Sequence, residues 1–275
     1  SFFMDETEVT NADFKKFVDS TGYLTTAERT IDWNDLKQYL PPNTPKPHDS
    51  LLAPSSLVFF ESKTKNLNDF SQWWRLQKEV NWKQPYGKES TIDTILDHPV
   101  IHVSWDDAVA YCKWKGRRLP TEAEYEYAMR SGNSNTTYTW GNQSIDTGEQ
   151  KANVWQGDFP SNNMVLDDFY YTSPVKSFGD NDFGLYDISG NVWEWCSDLY
   201  HSDYYSTISN KVANNPKGPT KSFDPNDPFS SKRVMRGGSF LCNDSYCSGF
   251  RNSMRMKSTP DSSSQHVGFR TVLDL

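Results

Sequence analysis

The stretch "HPVIHVSWDDAVAYCKWKGRRLPTEAEYEYA", residues 98–128, contains two helix starts in close succession. Ser104 with Asp107, and Thr121 with Glu124, have the spacing of a capping box, in which two side chains bond the free backbone N–H groups of the first turn. A glycine after the first run supplies a stop signal. The spacing therefore predicts two short helices, the second ending near a later glycine, Gly132.

The same stretch places His98 and His102 four residues apart, which on a helix would be a metal-binding pair. Pro99 and the β-branched residues after it favour extended backbone instead. In a strand the two side chains would stand about 13 Å apart. We therefore do not expect these histidines to share a metal.

A third helix is predicted in "TNADFKKFVDSTG", residues 10–22, where Thr10 and Asp13 have capping-box spacing. Its apolar face consists of Phe14, Phe17 and Val18. Residues 24–97 look irregular, and beyond residue 132 short strand-like pieces alternate with turns: "TYTWGN", "SPVKSFGDNDFGLYD", "RVMRGGSF" and "VGFRTVL". The pattern predicts a single α+β domain with much coil and little regular secondary structure.

The composition agrees with a loop-rich core built from large rings. Hydrophobic residues make up 35% of the 275-residue chain, but aromatic residues make up 15% and include ten tryptophans. The net charge of −8 and the lack of a basic run argue against nucleic-acid binding. No apolar run is long enough for a membrane span. The first residues resemble the middle of a strand and no signal peptide, so we expect a chain trimmed at its start.

The stretch "GGSFLCNDSYCSGFR", residues 237–251, carries two of the four cysteines, Cys242 and Cys247. Their spacing alone is compatible with a local disulfide, a redox dithiol or a soft-metal site. The other two, Cys112 and Cys196, stand in apolar contexts and are expected to be buried.

Several motifs, taken in order, resemble those of formylglycine-generating enzymes. They are "MDETEVTNADFKKFV", the 98–128 stretch, "ANVWQGDFP", "GLYDISGNVWEW", "RVMRGGSF" and "TPDSSSQHVGFR". The resemblance covers nearly all of residues 1–275, apart from the irregular part around 28–72. It implies one catalytic domain of the formylglycine-generating-enzyme fold, with C-type-lectin-like topology.

The resemblance also implies an activity. These enzymes use molecular oxygen and a reductant to oxidise a cysteine, in a Cys-x-Pro-x-Arg-like segment of an unfolded sulfatase, to formylglycine, which activates the sulfatase. By resemblance, Cys242 and Cys247 hold Cu(I), a soft ion that prefers few thiolate ligands. Ser239 and Tyr246 complete the catalytic set. Substrate-binding residues are Ser263, Asn243 and His266, the last at a position where the family usually has asparagine.

Two structural calcium sites are implied in the same way, and hard oxygen ligands suit that ion. The first would use the side chains of Asn153 and Asp167 with the carbonyls of Val154 and Phe169. The second would use the side chains of Asp187 and Glu194 with the carbonyls of Gly190 and Val192.

Half-cystines that occur in secretory family members are missing here. Cys112 is present, but its partner position is Thr271, and Met129 and Asn252 occupy other half-cystine positions. This favours a prokaryotic cytoplasmic or periplasmic protein. The alternatives left open are a noncatalytic, calcium-stabilised paralogue that binds sulfatase peptides and a related oxidase acting on another thiol.

Overall fold

A computed structural model of the chain describes residues 1–64, 66–208 and 212–275. Five α-helices in this part are α1 (Asn11–Thr21), α2 (Trp33–Leu36), α3 (Trp105–Lys115), α4 (Glu122–Arg130) and α5 (Tyr204–Ile208). The strands are β1 (Phe2–Met4), β2 (Ser55–Phe59), β3 (Trp74–Lys78), β4 (Gly157–Asp158), β5 (Asn162–Asn163), β6 (Trp193–Leu199), β7 (Arg233–Arg236), β8 (Met256–Ser258), β9 (Val267–Gly268) and β10 (Val272–Asp274). Short 3₁₀ turns lie at Thr26–Glu28, Lys37–Tyr39, Asp49–Leu51 and Phe70–Gln72.

The largest sheet has four strands in the order β8-β7-β6-β9. Strand β6 pairs antiparallel with β7 and parallel with β9, while β7 pairs antiparallel with β8. The register between β6 and β7 shifts between Trp195 and Leu199. A separate pair, β1 with β10, joins the two ends of the chain. The α+β class with little regular structure is therefore confirmed.

The helix caps follow the sequence prediction. The hydroxyls of Thr10, Ser104 and Thr121 accept hydrogen bonds from the backbone three residues on, and α1 and α3 end at left-handed glycines. Helix α4 differs slightly, because Ser131 (φ 48°) takes the left-handed position before Gly132 does so in turn. Capping residues that lie within one helical turn were therefore sufficient to predict where these helices begin.

Two strand features were missed. The segment expected to be irregular contains the β2–β3 hairpin, and β6 was not singled out as a strand. The first four residues of β6 are all buried, so it lacks the alternation that reveals a half-exposed strand. Conversely, "TYTWGN" forms a turn with isolated bridges at Tyr138 and Gly141, and "SPVKSFGDNDFGLYD" forms turns and bends without a strand.

The core is rich in aromatic edge contacts, as the composition predicted. Phe14 lies 5.2 Å from Trp82 and 5.9 Å from Tyr111 between ring centroids. Cys112 and Cys196 are free and buried, which confirms their expected place. Within the described residues, no helix is long and apolar enough to cross a membrane.

A buried ion pair links β6 to the residues after β9. Arg270 and Glu194 are both 0% exposed, and Arg270 Nε donates to both Glu194 oxygens at 3.0 and 2.8 Å. Arg270 Nη2 donates to Glu194 Oε1 and to Tyr186 O, both at 2.9 Å, and Nη1 donates to the carbonyls of Asp5 and Glu6. Tyr125 Oη donates to Glu194 Oε1 at 2.8 Å. The buried charges of Arg270 and Glu194 therefore compensate each other.

Candidate active site

A cavity of about 690 Å³ opens beside the four-stranded sheet. Trp193 and Trp195 of β6 and Met235 of β7 form its floor, and Trp74 of β3 lines one wall. Six of the residues implied as catalytic or substrate-binding line it: Ser239, Cys242, Tyr246, Cys247, Ser263 and His266. The structure therefore brings together side chains that stand up to 27 positions apart, from Ser239 to His266.

Cys242 and Cys247 are joined in a disulfide with a Cα–Cα distance of 5.4 Å. Cys242 is buried and Cys247 is half-buried. Ser239 Oγ lies 3.8 Å from Cys242 Sγ. Oxidised sulfurs bind no soft metal, so the pair must be reduced before its thiolates could act as ligands.

Asn243 lies between the cysteines but does not line the cavity. Its Oδ1 accepts from Tyr246 N at 3.0 Å, and its Nδ2 donates to Gly157 O at 3.0 Å. These bonds shape the turn that places Cys247 next to Cys242. In this structure Asn243 holds the loop, and its implied contact with substrate stays a prediction.

The backbone behind Cys242 has no room for a side chain. A Cβ added at Gly249 would lie 2.5 Å from the Trp193 ring and 2.8 Å from Cys242 Sγ. Real Cβ atoms do not approach that closely, so the glycine permits the loop to pack under the cysteine. The Gly249 backbone therefore packs close to both the Trp193 ring and the Cys242 sulfur.

Tyr246 is fixed by rings. It stacks on Phe159 with 4.1 Å between centroids and meets Trp73 edge-on at 5.8 Å. Burial raises the pKa of its phenol above the ordinary value. The hydroxyl therefore stays protonated at neutral pH and is available as a hydrogen-bond donor.

His266 packs its ring 4.7 Å from that of Trp74, and its Nδ1 lies 3.1 Å from Ser264 Oγ. Burial lowers the pKa of His266 to about 3, with a smaller contribution from His102. The imidazole is therefore neutral at physiological pH. His98 and His102, by contrast, have separate partners, Thr172 for His98 and Ser56 with Pro85 for His102.

The donor set of the cavity fits a soft metal. Its lining contains two sulfurs from the cysteine pair and one imidazole, and no carboxylate among the described residues. Nor do three or more His, Cys, Asp or Glu side chains cluster as a harder metal site in the part of the chain that the structure describes. Two adjacent thiols without carboxylates are a donor set that suits Cu(I) better than harder ions.

The first implied calcium loop has a free oxygen. Asn153 Oδ1 is buried without a hydrogen-bond partner. Asp167 lies close by, its Oδ2 accepting from Val154 N at 3.1 Å and from Gln156 Nε2 at 2.6 Å. Burial raises the pKa of Asp167. A cation here would satisfy the orphan oxygen and oppose that shift, so the residues fit the ion.

The second implied loop fits only in part. Asp187 Oδ1 is buried without a partner, and burial raises the pKa of Asp187 to about 6. Glu194, however, already has both oxygens bonded to Arg270. The structure also places Glu8 at this site, a residue that sequence reasoning missed. Its Oε2 has no hydrogen-bond partner. Burial, followed by the charges of Asp187 and Glu194, raises the pKa of Glu8.

The fold and the cavity define an α+β domain with a candidate thiol site in its wall. The chain matches the model of the sulfatase-modifying factor enzyme 1-like domain over residues 1–275. It therefore belongs to the formylglycine-generating enzyme family, as the sequence motifs predicted.

Its relatives include the formylglycine-generating enzyme of Bos taurus, 43% identical over 100% of this chain and 66% of that protein. That of Thermomonospora curvata is 40% identical over 99% of this chain and 82% of that protein. The chain thus spans about two thirds of the mammalian enzyme's length. The inactive C-alpha-formylglycine-generating enzyme 2 of Mus musculus is 36% identical over 98% of this chain and 74% of that protein.

Among solved structures, PvdO from Pseudomonas aeruginosa superposes with a TM-score of 0.61 and 20% identity, covering 100% of this chain and 80% of that one. At that identity the likeness supports the fold alone.

Proposed function

We propose that this protein oxidises a cysteine in a Cys-x-Pro-x-Arg-like segment of an unfolded sulfatase to formylglycine. The observation that carries the proposal is the Cys242–Cys247 pair in the wall of a cavity of about 690 Å³, beside Ser239 and Tyr246. Relatives named formylglycine-generating enzyme, at 40 and 43% identity, support it.

The reduced pair would hold Cu(I), which supplies the means of activating molecular oxygen next to a substrate thiolate. The chain's own residues do the rest. Ser239 lies beside Cys242, and the protonated Tyr246 hydroxyl is available to donate a hydrogen bond into the cavity. Trp193, Trp195 and Met235 give the cavity an apolar side that includes no competing ligand for the sulfurs' ion other than the Met235 thioether.

The overall change balances as follows. The peptidyl CH₂–SH group, molecular oxygen, two electrons from the reductant and two protons give the aldehyde, hydrogen sulfide and water. The thiol carbon loses its C–S bond and one C–H bond and gains a C=O double bond. A segment that is still unfolded suits this site because its backbone has no internal partners and can enter the cavity extended.

The direct test is conversion of a Cys-x-Pro-x-Arg peptide by copper-loaded, reduced protein. We expect mass spectrometry to show a product that has lost the sulfur and two hydrogens and gained one oxygen. The control peptide has serine in place of cysteine. No aldehyde with copper, oxygen and reductant present contradicts the proposal.

Because one relative is named an inactive C-alpha-formylglycine-generating enzyme, a noncatalytic peptide-binding role is a second candidate. The two proposals differ at the cysteines: a binding module tolerates their replacement, whereas the oxidase does not. A third candidate, an oxidase of small thiols, predicts turnover of free cysteine at a rate equal to or above that of the peptide.

We also propose that Ca²⁺ occupies the Asn153–Asp167 loop, with the Val154 and Phe169 carbonyls as further ligands, and that Asp187 contributes to a second site. A calcium ion at the second site must compete with Arg270 for Glu194. The supporting observations are the two unpartnered oxygens, Asn153 Oδ1 and Asp187 Oδ1.

Chelation should therefore destabilise the protein. At free Ca²⁺ about a hundredfold above Kd, the ion stabilises the fold by about 2.7 kcal/mol, and EDTA should lower Tm by several degrees. Asn153→Ala should abolish the part of this Ca²⁺ dependence that comes from the first site, whereas Asn142→Ala, in a loop outside both sites, should leave all of it intact. Identical melting of the wild type with Ca²⁺ and with EDTA contradicts both sites.

A further inference from the structure

A chain of hydrogen bonds runs from the core to the cavity wall through three residues distant in sequence. His102 Nε2 lies 2.9 Å from Pro85 O, and His102 Nδ1 lies 2.8 Å from Ser56 Oγ. Ser56 Oγ lies 2.8 Å from Ser263 Oγ. His102 is 0% exposed and Ser56 is 1% exposed, while Ser263, 8% exposed, lines the cavity.

The chemistry of the groups fixes the direction of every bond. A carbonyl oxygen only accepts, so His102 Nε2 carries the hydrogen toward Pro85. Burial lowers the pKa of His102 to about 4, so at neutral pH the imidazole is uncharged and its Nδ1 accepts. Ser56 must therefore donate its single O–H to His102, and Ser263 must donate its own to Ser56.

The consequence appears at the cavity. Because the Ser263 hydroxyl donates its hydrogen to Ser56, it offers only lone pairs to a ligand in the cavity. A free serine hydroxyl would rotate and serve as donor or acceptor. This one is held as an acceptor by two residues that do not line the cavity themselves.

We propose that His102 and Ser56 are positioning residues that hold Ser263 as a hydrogen-bond acceptor for a backbone N–H of the substrate peptide. The inference rests on the proposed function and deepens it, because it states which kind of substrate group Ser263 recognises. A peptide backbone in extended form has such N–H groups free.

A double-mutant cycle on peptide binding tests the relay. The probe is a fluorescent Cys-x-Pro-x-Arg peptide with serine replacing cysteine, and the readout is anisotropy. Ser263→Ala should weaken binding about fivefold, the value of one neutral hydrogen bond, and Ser56→Ala should weaken it by less than that, because the freed Ser263 hydroxyl can still rotate into the acceptor orientation. Because Ser56 acts through Ser263, the double variant should lose no more than Ser263→Ala alone, whereas independent effects would multiply.

The matched control is Ser55→Ala on the same strand, whose hydroxyl donates to Ala53 O at 3.0 Å and which does not line the cavity. Its peptide affinity should equal that of the wild type. Multiplicative losses in the double variant, with a peptide that the wild type binds, overturn the relay alone. A wild type that binds no peptide overturns the proposed function together with the role of Ser263.

A second measurement does not depend on substrate. With ¹⁵N-labelled histidine, the His102 signal, assigned by its loss in His102→Gln, should show the neutral Nε2–H tautomer at pH 7. An Nδ1–H tautomer or an imidazolium at that pH overturns the inference even if peptide binding is intact.

Discussion

Replacing either cysteine of the cavity, by Cys242→Ser or Cys247→Ser, should reduce aldehyde formation by a factor on the order of 10³ or more, since the two thiols act as one unit. A serine hydroxyl is a hard, weakly acidic group and does not replace a thiolate as a ligand for a soft ion. The measurement is single-turnover conversion of the peptide, followed by mass spectrometry.

The double variant should be no worse than either single variant, because removing one member already disables the pair. Cu(I) competition with a chromophoric chelator supplies a readout apart from activity, and both single variants should lose tight binding. Cys112→Ser is the matched control, since Cys112 is also a buried thiol but lies in the core away from the cavity. Cys112→Ser should lose about 1–3 kcal/mol of stability, because the new hydroxyl is buried without a partner. It should retain turnover. Wild-type turnover in Cys242→Ser would refute the proposed chemistry.

The largest effect on stability is expected at Arg270. Arg270→Met leaves Glu194 buried without its cation, next to Glu8 and Asp187, and removal of one partner of a buried pair costs about 3–5 kcal/mol. For a chain of this size that loss corresponds to a fall in Tm of about 10 °C. Urea denaturation followed by tryptophan fluorescence measures the change.

The loss of stability in Arg270→Met should grow as the pH rises. Burial already raises the pKa values of Glu8 and Asp187, and loss of the Arg270 charge, which lowers both, should raise them further in Arg270→Met. The variant therefore recovers stability at low pH, where they are protonated, and loses it as the pH rises through those pKa values. Lys15→Met, which removes an exposed pair with Asp19, should change stability by about 0.5 kcal/mol or less. A loss of stability in Arg270→Met as small as that in Lys15→Met would show that the Arg270–Glu194 pair contributes little.

How far the sequence predicted the structure depends on the reach of each signal. The caps of α1, α3 and α4 were found because a capping box involves residues three positions apart. The cysteine pair was found for the same reason, its members being five positions apart. Strand β6 was missed because its first four residues are all buried and show no alternation. The β2–β3 hairpin was missed because residues 60–73 separate its two strands, so no tight-turn signal joins them.

The sequence by itself determined helices α1, α3 and α4, the family and the pair of thiols that defines the candidate site. The tertiary structure alone decided which polar side chains pair with one another around the site and in the core. Ser56 and Ser263 are 207 positions apart, and Glu194 and Arg270 are 76 apart. No spacing rule connects residues at such distances. They meet because burial of an aromatic core brings the chain together, and each buried polar group must then find a partner.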